Sequence, residues 1–301
     1  MTGQSLGKIR LRDWVCEAAR AMDQAELFFG HGTDNAWDEA CWMAAWGAGL
    51  PLDFGDEVGQ AWLADDVLEK LNVVLAERLA SRRPLGHILG EAWLGGLKFK
   101  VNDQVLVPRS PIAELIMQGF APWVGVDAIE RVLDVGTGCG CLACLTAHTW
   151  PHLQVDAVDI SPPAVALAQQ NIADLGLDGR VQARESDLFS NLRGERFDVI
   201  LANPPYVPES SMANLPAEHR HEPHLGLVAG EDGLDVVIPL VREARQHLQP
   251  GGALICEVGE AEVAFDAWAR RQRLNITWLE FENGGEGVFL AEAAALEALV
   301  P

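Results

Sequence analysis

The fold is decided by RVLDVGTGCG, residues 131–140, where an apolar run breaks into alternating glycines and gives way to the apolar stretch CLACLTA at 141–147. Arg131 to Val135 reads as a buried strand, Gly136, Gly138 and Gly140 as a turn, and the stretch beyond as a helix. Glycines in such a turn let a ligand approach the backbone closely, and the N–H groups that open the helix receive its negative charge. Nucleotide-binding dehydrogenases use similar turns, so the context has to choose between them and other users. Outward from this stretch, strand candidates at 155–159, 180–184, 197–202 and 252–258 alternate with helical segments, the pattern of a parallel sheet with crossover helices. The clearest of those helices follows Ser161, an N-cap with Pro162 in the first helical position and Ala164, Ala168, Ile172 and Leu175 on one face. ITWLEF (276–281) and GVFLAEA (287–293) flank an NGG turn, so the sheet is expected to end in an antiparallel hairpin.

Residues 1–83 carry a different signal. Leu11, Val15, Ala18, Met22 and Phe29 form one stripe at helical spacing, Leu68, Leu71, Leu75 and Leu79 form another, and an N-cap at Asn35 or Thr33 lies between them. A small helical N-terminal domain is expected. From 84 to 107 glycines interrupt short apolar runs, Leu97 to Val101 and Val105 to Val107, which predicts a β-hairpin linker and leaves 108–301 as an α/β domain.

Composition narrows the function. A chain of 301 residues with a net charge of −22 repels a phosphate backbone at long range and attracts basic proteins. The chain has no run of about eighteen apolar residues and no apolar segment behind its basic N-terminal residues, so neither a membrane partner nor a secretory signal is expected, and a cytoplasmic location is the default expectation. Its cysteines lie in apolar stretches, where a reduced thiol behaves as a small hydrophobe. Cys139, Cys141 and Cys144 lack a second ligand pair at zinc-finger spacing, so no metal is expected.

Two further strand ends add chemistry to the glycine turn. The strand Val155 to Asp159 ends on a carboxylate that can accept both hydroxyls of a ribose, followed by Ile160, and after the third strand Asp187 and Leu188 stand where an adenine could be held. The expected cofactor-binding residues are therefore Asp134, Gly136, Thr137, Gly138, Cys139, Gly140, Asp159, Ile160, Asp187, Leu188 and Asn203. The fourth strand runs into Asn203-Pro204-Pro205-Tyr206, whose prolines fix the backbone. The Asn203 side-chain oxygen and the Pro204 carbonyl can accept both hydrogens of a planar NH₂ group, and Tyr206 can stack on its plane. Asn203, Pro204, Pro205 and Tyr206 are the expected catalytic residues. Arg109 could pair with a cofactor carboxylate or join the domains, and His219, His221 and His224 read as part of a lid over the acceptor.

The glycine turn, Asp159 and Asp187 are spaced as in class I (Rossmann-like) S-adenosylmethionine methyltransferases, which the chain resembles. NPPY is shared by adenine-N6 DNA methyltransferases and protein glutamine-N5 methyltransferases, so it specifies an NH₂ acceptor without naming it. The helical N-terminus, the hairpin and Val107-Pro108-Arg109-Ser110-Pro111-Ile112 resemble the protein glutamine-N5 methyltransferase family that modifies ribosomal proteins and release factors. Where the release-factor branch carries Pro-Arg-Pro-Asp-Thr-Glu, this chain has Pro-Arg-Ser-Pro-Ile. With HGTDNAWDEA (31–40), PLDF (51–54), Ala92-Trp93, RHEPHLGL (220–227), ICEVG (255–259) and TWLEFENGGEGVF (277–289), it resembles the branch acting on the large-subunit ribosomal protein L-three. Leu85-Gly86-His87 departs from the aromatic-containing segment often seen before the hairpin. The resemblance implies S-adenosylmethionine as cofactor, a basic ribosomal protein as partner, and a glutamine amide held by Asn203 to Tyr206. A release-factor glutamine methyltransferase, an adenine-N6 nucleic-acid methyltransferase and a non-catalytic ribosome-assembly factor are the alternatives. The acidity and the absence of a basic, aromatic-interleaved face weigh against a direct nucleic-acid target.

Overall fold

The computed structural model describes residues 9–282 and 284–299; the opening residues weighed for a secretory signal and Asn283 of the NGG turn lie outside them. The described residues divide into two compact units, one formed by those up to Gly90 with Pro216–His221, the other by Glu91–Leu215 and those from Glu222 onward.

The first unit is built on helices Leu11–Gln24, Ala36–Ala48 and Asp65–Ser81. Asn35 caps the second, its side chain accepting from Asp38 N at 2.9 Å. Leu11, Val15, Ala18 and Met22 are buried together with Trp14, but the helix ends at Gln24 and Phe29 lies beyond it. The other stripe also differs from expectation: Leu68, Leu71, Val74 and Arg78 are buried, while Leu75 and Leu79 are only half-buried. Arg78 occupies the apolar face because its charge is matched there. Its Nε lies 2.7 Å from Glu39 and it donates to the Phe28 carbonyl at 3.0 Å.

The second unit opens with the hairpin β1 (Glu91–Leu94) and β2 (Leu97–Lys100). It is shorter than the expected linker: Leu85–Leu89 is a turn of helix closed by a left-handed Gly90, and Val105 and Val107 are buried without joining a strand. A left-handed glycine just past a helix satisfies its last carbonyls and stops it, which sets the start of the hairpin. The main sheet comprises β3 (Arg131–Val135), β4 (Gln154–Asp159), β5 (Val181–Glu185), β6 (Phe197–Ala202), β7 (Leu248–Glu257), β8 (Thr277–Trp278) and β9 (Val288–Glu292). Its order is β5-β4-β3-β6-β7-β9-β8, parallel from β5 to β7 and antiparallel at β9 and β8. The order reverses between β3 and β6, so the crevice for ligands opens outside the carboxyl ends of those strands. Ser161 caps helix Pro162–Asp174, accepting from Ala164 N at 3.4 Å, and that helix and Cys141–Thr149 pack on β4 and β5. Helices Val237–His247 and Glu262–Gln272 contribute Leu240, Val241, Phe265 and Trp268 to a core that includes Leu254, Cys256 and Phe289 of the sheet. Among the described residues no helix is long and apolar enough to cross a membrane.

Arg131 lies 2.6 Å from Asp156 and 2.9 Å from Glu195, and Arg184 lies 2.7 Å and 2.9 Å from the same two carboxylates. The hydrogen bond from Arg184, with that from Arg131, holds the Glu195 carboxyl down at about 2 against an ordinary 4.5. A depressed carboxyl contributes stability that is complete above its unfolded pKa and is lost as pH falls toward the folded one. Glu195 is 29% exposed, so solvent screening limits the contribution to on the order of 1 kcal/mol. The stability difference between the parent and Glu195→Gln should therefore shrink from pH 4.5 to about 2, followed by denaturant titration. A difference that stays constant over that interval would remove the ion cluster from the account.

Candidate functional site

The glycine turn is fixed from below by the neighbouring strand. Gly136 N and Thr137 N donate to the Val158 carbonyl at 2.9 and 3.0 Å, and Gly140 N donates to Thr137 O at 2.9 Å. Gly136, Gly138 and Gly140 all have left-handed φ angles of 73°, 57° and 84°, where a side chain would be strained. At Gly140 a Cβ would also meet Ala168 Cβ at 3.1 Å, whereas at Gly138 it would meet nothing within 4 Å. One glycine thus allows helix packing and another leaves open space beside the backbone. Asp134, 1% exposed, braces the turn by accepting from Thr137 Oγ1 at 2.5 Å and from Ala143 N at 3.3 Å. Burial pushes its carboxyl up to about 6 against those two hydrogen bonds. Cys139 is buried, and its carbonyl accepts from Asn171 Nδ2 at 2.8 Å.

Asp159 closes β4 and its carboxylate accepts from Gly138 N and Ser161 N, both at 2.9 Å. Burial raises its carboxyl, and those N–H groups work in the other direction. Ile160 beside it is 50% exposed, an apolar surface available for packing. Beyond β5, Asp187 is exposed and Leu188 half-buried. Leu188 has a left-handed φ of 46°, and its carbonyl accepts from Ser186 Oγ at 2.8 Å.

Asn203 to Tyr206 leaves the carboxyl end of β6, next to β3. A Cβ placed on Gly136 would lie 3.9 Å from the Asn203 carbonyl oxygen, so the glycine turn and the NPPY backbone adjoin. Pro204 is buried, and Asn203, Pro205 and Tyr206 are half-buried. The outgoing chain is fixed by Val207, whose N donates to Leu227 O at 2.8 Å and whose carbonyl accepts from Ala229 N at 3.0 Å.

Four side chains in this region carry roles that the sequence did not assign to them. Asn171 donates to the Lys100 carbonyl at 3.0 Å as well as to Cys139, tying β2 to the glycine turn. Glu222 takes both arms of the Arg109 guanidinium at 2.6 Å each, and also accepts from Val107 N at 3.0 Å. The Arg109 fork is therefore engaged within its own unit. Glu257 and Ser110 meet at 2.6 Å, and Tyr206 donates to Glu257 at 2.9 Å. A carboxylate at helical or strand spacing reads as a solvated charge, so only an acid in the apolar run ICEVG could have marked Glu257. Of the histidines, His219 belongs to the helical unit, where its ring lies 5.1 Å from Phe28 and 4.7 Å from His31. His224 opens the short helix His224–Leu227 of the other unit.

Residues 115–218 match the methyltransferase small domain. The chain is 45% identical over 286 residues to the ribosomal protein uL3 glutamine methyltransferase of Xanthomonas campestris, covering 95% of this chain and 92% of that protein. It is 41% identical to the enzyme of the same name from Burkholderia pseudomallei, covering 96% of each. Among solved structures, the hMettl16 catalytic domain in complex with MAT2A 3'UTR hairpin 6 is 16% identical with a TM-score of 0.51, over 73% of this chain and 80% of that one. That last likeness is one of fold.

Proposed function

The chain belongs to the ribosomal protein uL3 glutamine methyltransferase family, and on that premise we propose that it transfers a methyl group from S-adenosylmethionine to the side-chain amide nitrogen, N5, of a glutamine in ribosomal protein uL3. The observation that carries this reading is the adjacency of Asn203 to the glycine turn at the carboxyl edge of β3 and β6. That adjacency supports reading Asn203 to Tyr206 as the amide site and the glycine turn as the cofactor site.

The residues of the turn fit the cofactor. Open space at Gly138 admits a ligand against the backbone, the Asp159 carboxylate at the strand end suits ribose hydroxyls, and half-exposed Ile160 and Leu188 offer apolar cover for an adenine. Asp134, Gly136, Thr137, Cys139, Gly140 and Asp187 complete the proposed cradle. When bound, S-adenosylmethionine supplies an electrophilic methyl on a sulfonium. The protein's task is then to present the nitrogen. An amide nitrogen is a poor nucleophile because its lone pair is delocalised into the carbonyl. The Asn203 side-chain oxygen and the Pro204 carbonyl accept its two hydrogens, which polarises the N–H bonds and makes the lone pair, perpendicular to the amide plane, less conjugated with the carbonyl and more available to the methyl. Pro204 and Pro205 keep that backbone from relaxing, and Tyr206 offers a ring to the amide. Positioning and fixed dipoles carry the chemistry, and the nitrogen, once it carries the methyl, releases one of its two protons to solvent.

A basic ribosomal protein suits a chain of net charge −22, because complementary charge raises encounter rates and the same charge repels nucleic acid. The helical unit is proposed to recognise the protein substrate and the sheet unit to carry out transfer, in the cytoplasm. The reading is tested by incubating the purified enzyme and labelled S-adenosylmethionine with undermethylated uL3 and, separately, with release factor and RNA, followed by mass spectrometry. A gain of one methyl on a glutamine of uL3 alone is expected. A gain confined to release factor would overturn the substrate, and a gain on RNA the acceptor class.

A further inference from the structure

Tyr206 is the sole tyrosine of the chain, and three separate contacts hold it. In the sheet Ala202 pairs with Cys256, so Asn203 and Glu257 follow side by side at the carboxyl edge of β6 and β7. Glu257 is 6% exposed. A buried carboxylate is costly unless its oxygens are satisfied, and here each has its own donor. Ser110 Oγ, itself buried and accepting from Ile112 N at 3.3 Å, donates to Oε2 at 2.6 Å, and the Tyr206 hydroxyl donates to Oε1 at 2.9 Å. The ring lies against Gly259: a Cβ there would come within 2.6 Å of Tyr206 Cζ. Gly259 is in turn seated on Gly287, whose carbonyl accepts from Val258 N at 2.6 Å and whose own Cβ would lie 2.6 Å from Gly259 O. The Tyr206 carbonyl abuts Gly233, where a Cβ would overlap it.

We propose that Glu257 is a positioning residue for methyl transfer, a buried acceptor, braced by Ser110, that fixes the hydroxyl of Tyr206 and thereby the ring against which the acceptor amide is aligned. This deepens the proposed function and rests on its reading of Asn203 to Tyr206. A tyrosine ring at a crevice mouth has two soft torsions. Gly259 limits the ring on one side, and the hydrogen bond to Glu257 fixes its far end. Displacement of an aligning group by about 1 Å can cost up to about 100-fold in rate. Burial drives the Tyr206 hydroxyl and the Glu257 carboxyl both upward, with Glu257 and Glu260 adding to the rise at the phenol and Arg109 opposing it, in keeping with a phenol that stays protonated and donating.

The test uses the full-length enzyme with labelled S-adenosylmethionine and uL3. Glu257→Leu should lower kcat by about 10- to 100-fold while the KM for the cofactor stays within about twofold. Glu257→Gln, which keeps an acceptor oxygen, should recover part of the loss. Tyr206→Phe combined with Glu257→Leu should be no worse than the worse single variant, because both remove one interaction. Isotope-labelled tyrosine gives a single resonance, and its titration should move down toward the ordinary phenol range in Glu257→Leu. If that variant does not fold, Ser110→Ala should shift the same resonance and lower kcat to a smaller extent. Multiplying losses, a Gln variant no better than Leu, or an unmoved tyrosine resonance in every folded variant would overturn the assignment. Full activity of Asn203→Ala would instead sink the reading of the site itself, whereas an inactive Asn203→Ala with unaffected Glu257 variants would sink this inference alone.

Discussion

Asn203→Ala is expected to lower kcat for methyl transfer by about 100- to 1,000-fold, the range seen when one preorganised polar group is taken from a transition state. The amide nitrogen gains positive charge as its lone pair is displaced, so its N–H bonds become stronger donors on the way to the transition state. An acceptor oxygen aimed at them is therefore worth more there than in the ground state, and its loss falls on kcat more than on the KM for uL3. The Pro204 carbonyl remains, which leaves a residual rate. Asn203 is half-buried at the end of β6, and its main chain, the part next to Gly136, is unchanged by the substitution. Cofactor affinity, measured calorimetrically, should therefore stay close to that of the parent. A large loss of cofactor affinity with an unaltered kcat would move Asn203 from the acceptor to the cofactor.

The second large effect lies in the helical unit. Arg78 is 1% exposed and faces two carboxylates that are almost fully buried, Glu39 at 2.7 Å and Glu218 at 3.7 Å. Arg82 also reaches Glu218, at 3.0 Å, and Glu218 accepts from Phe28 N at 3.0 Å. Arg78→Met keeps much of the side-chain volume but takes the guanidinium from buried Glu39 and leaves Glu218 with the partly exposed one of Arg82. Breaking a buried pair from one side typically costs about 3–5 kcal/mol, since the remaining charge is uncompensated. The loss should appear as faster hydrogen exchange in helices Leu11–Gln24, Ala36–Ala48 and Asp65–Ser81 and as earlier thermal unfolding of that unit, with β3 to β7 still protected. Exchange in those helices indistinguishable from the parent would show that the cluster adds nothing to stability.

Glu218 also shows how the chain is shared. Pro216–His221 follows NPPY in sequence yet belongs to the helical unit, so the segment read as a lid over the acceptor is partly an element of another unit. Periodicity could not reveal this, because a carboxylate in a loop looks the same whether it meets water or two arginines. Arg78 misled for the same reason: at helical spacing Leu79 is the better hydrophobe, and only the presence of Glu39 and Glu218 makes the neighbouring face the buried one. The hairpin limits went astray on local grounds, since Pro84 begins a turn of helix and Gly90 ends it.

What the sequence determined by itself is what short-range chemistry encodes. The alternation of apolar strands with helices set the parallel sheet, Ser161 with Pro162 set a helix start, and the glycines at 136, 138 and 140 and the tetrapeptide at 203–206 stand at strand ends, because each such pattern depends on residues within a few positions of one another. The tertiary structure alone decided which charges are buried and what they hold. Glu257 meets Ser110 across 147 positions and Glu222 meets Arg109 across 113. Such pairs form only when the fold sets loop residues distant in sequence against each other, Ser110 on the carboxyl end of β7 and Arg109 on the segment after NPPY, and a buried carboxylate left without those partners would be driven toward its neutral form.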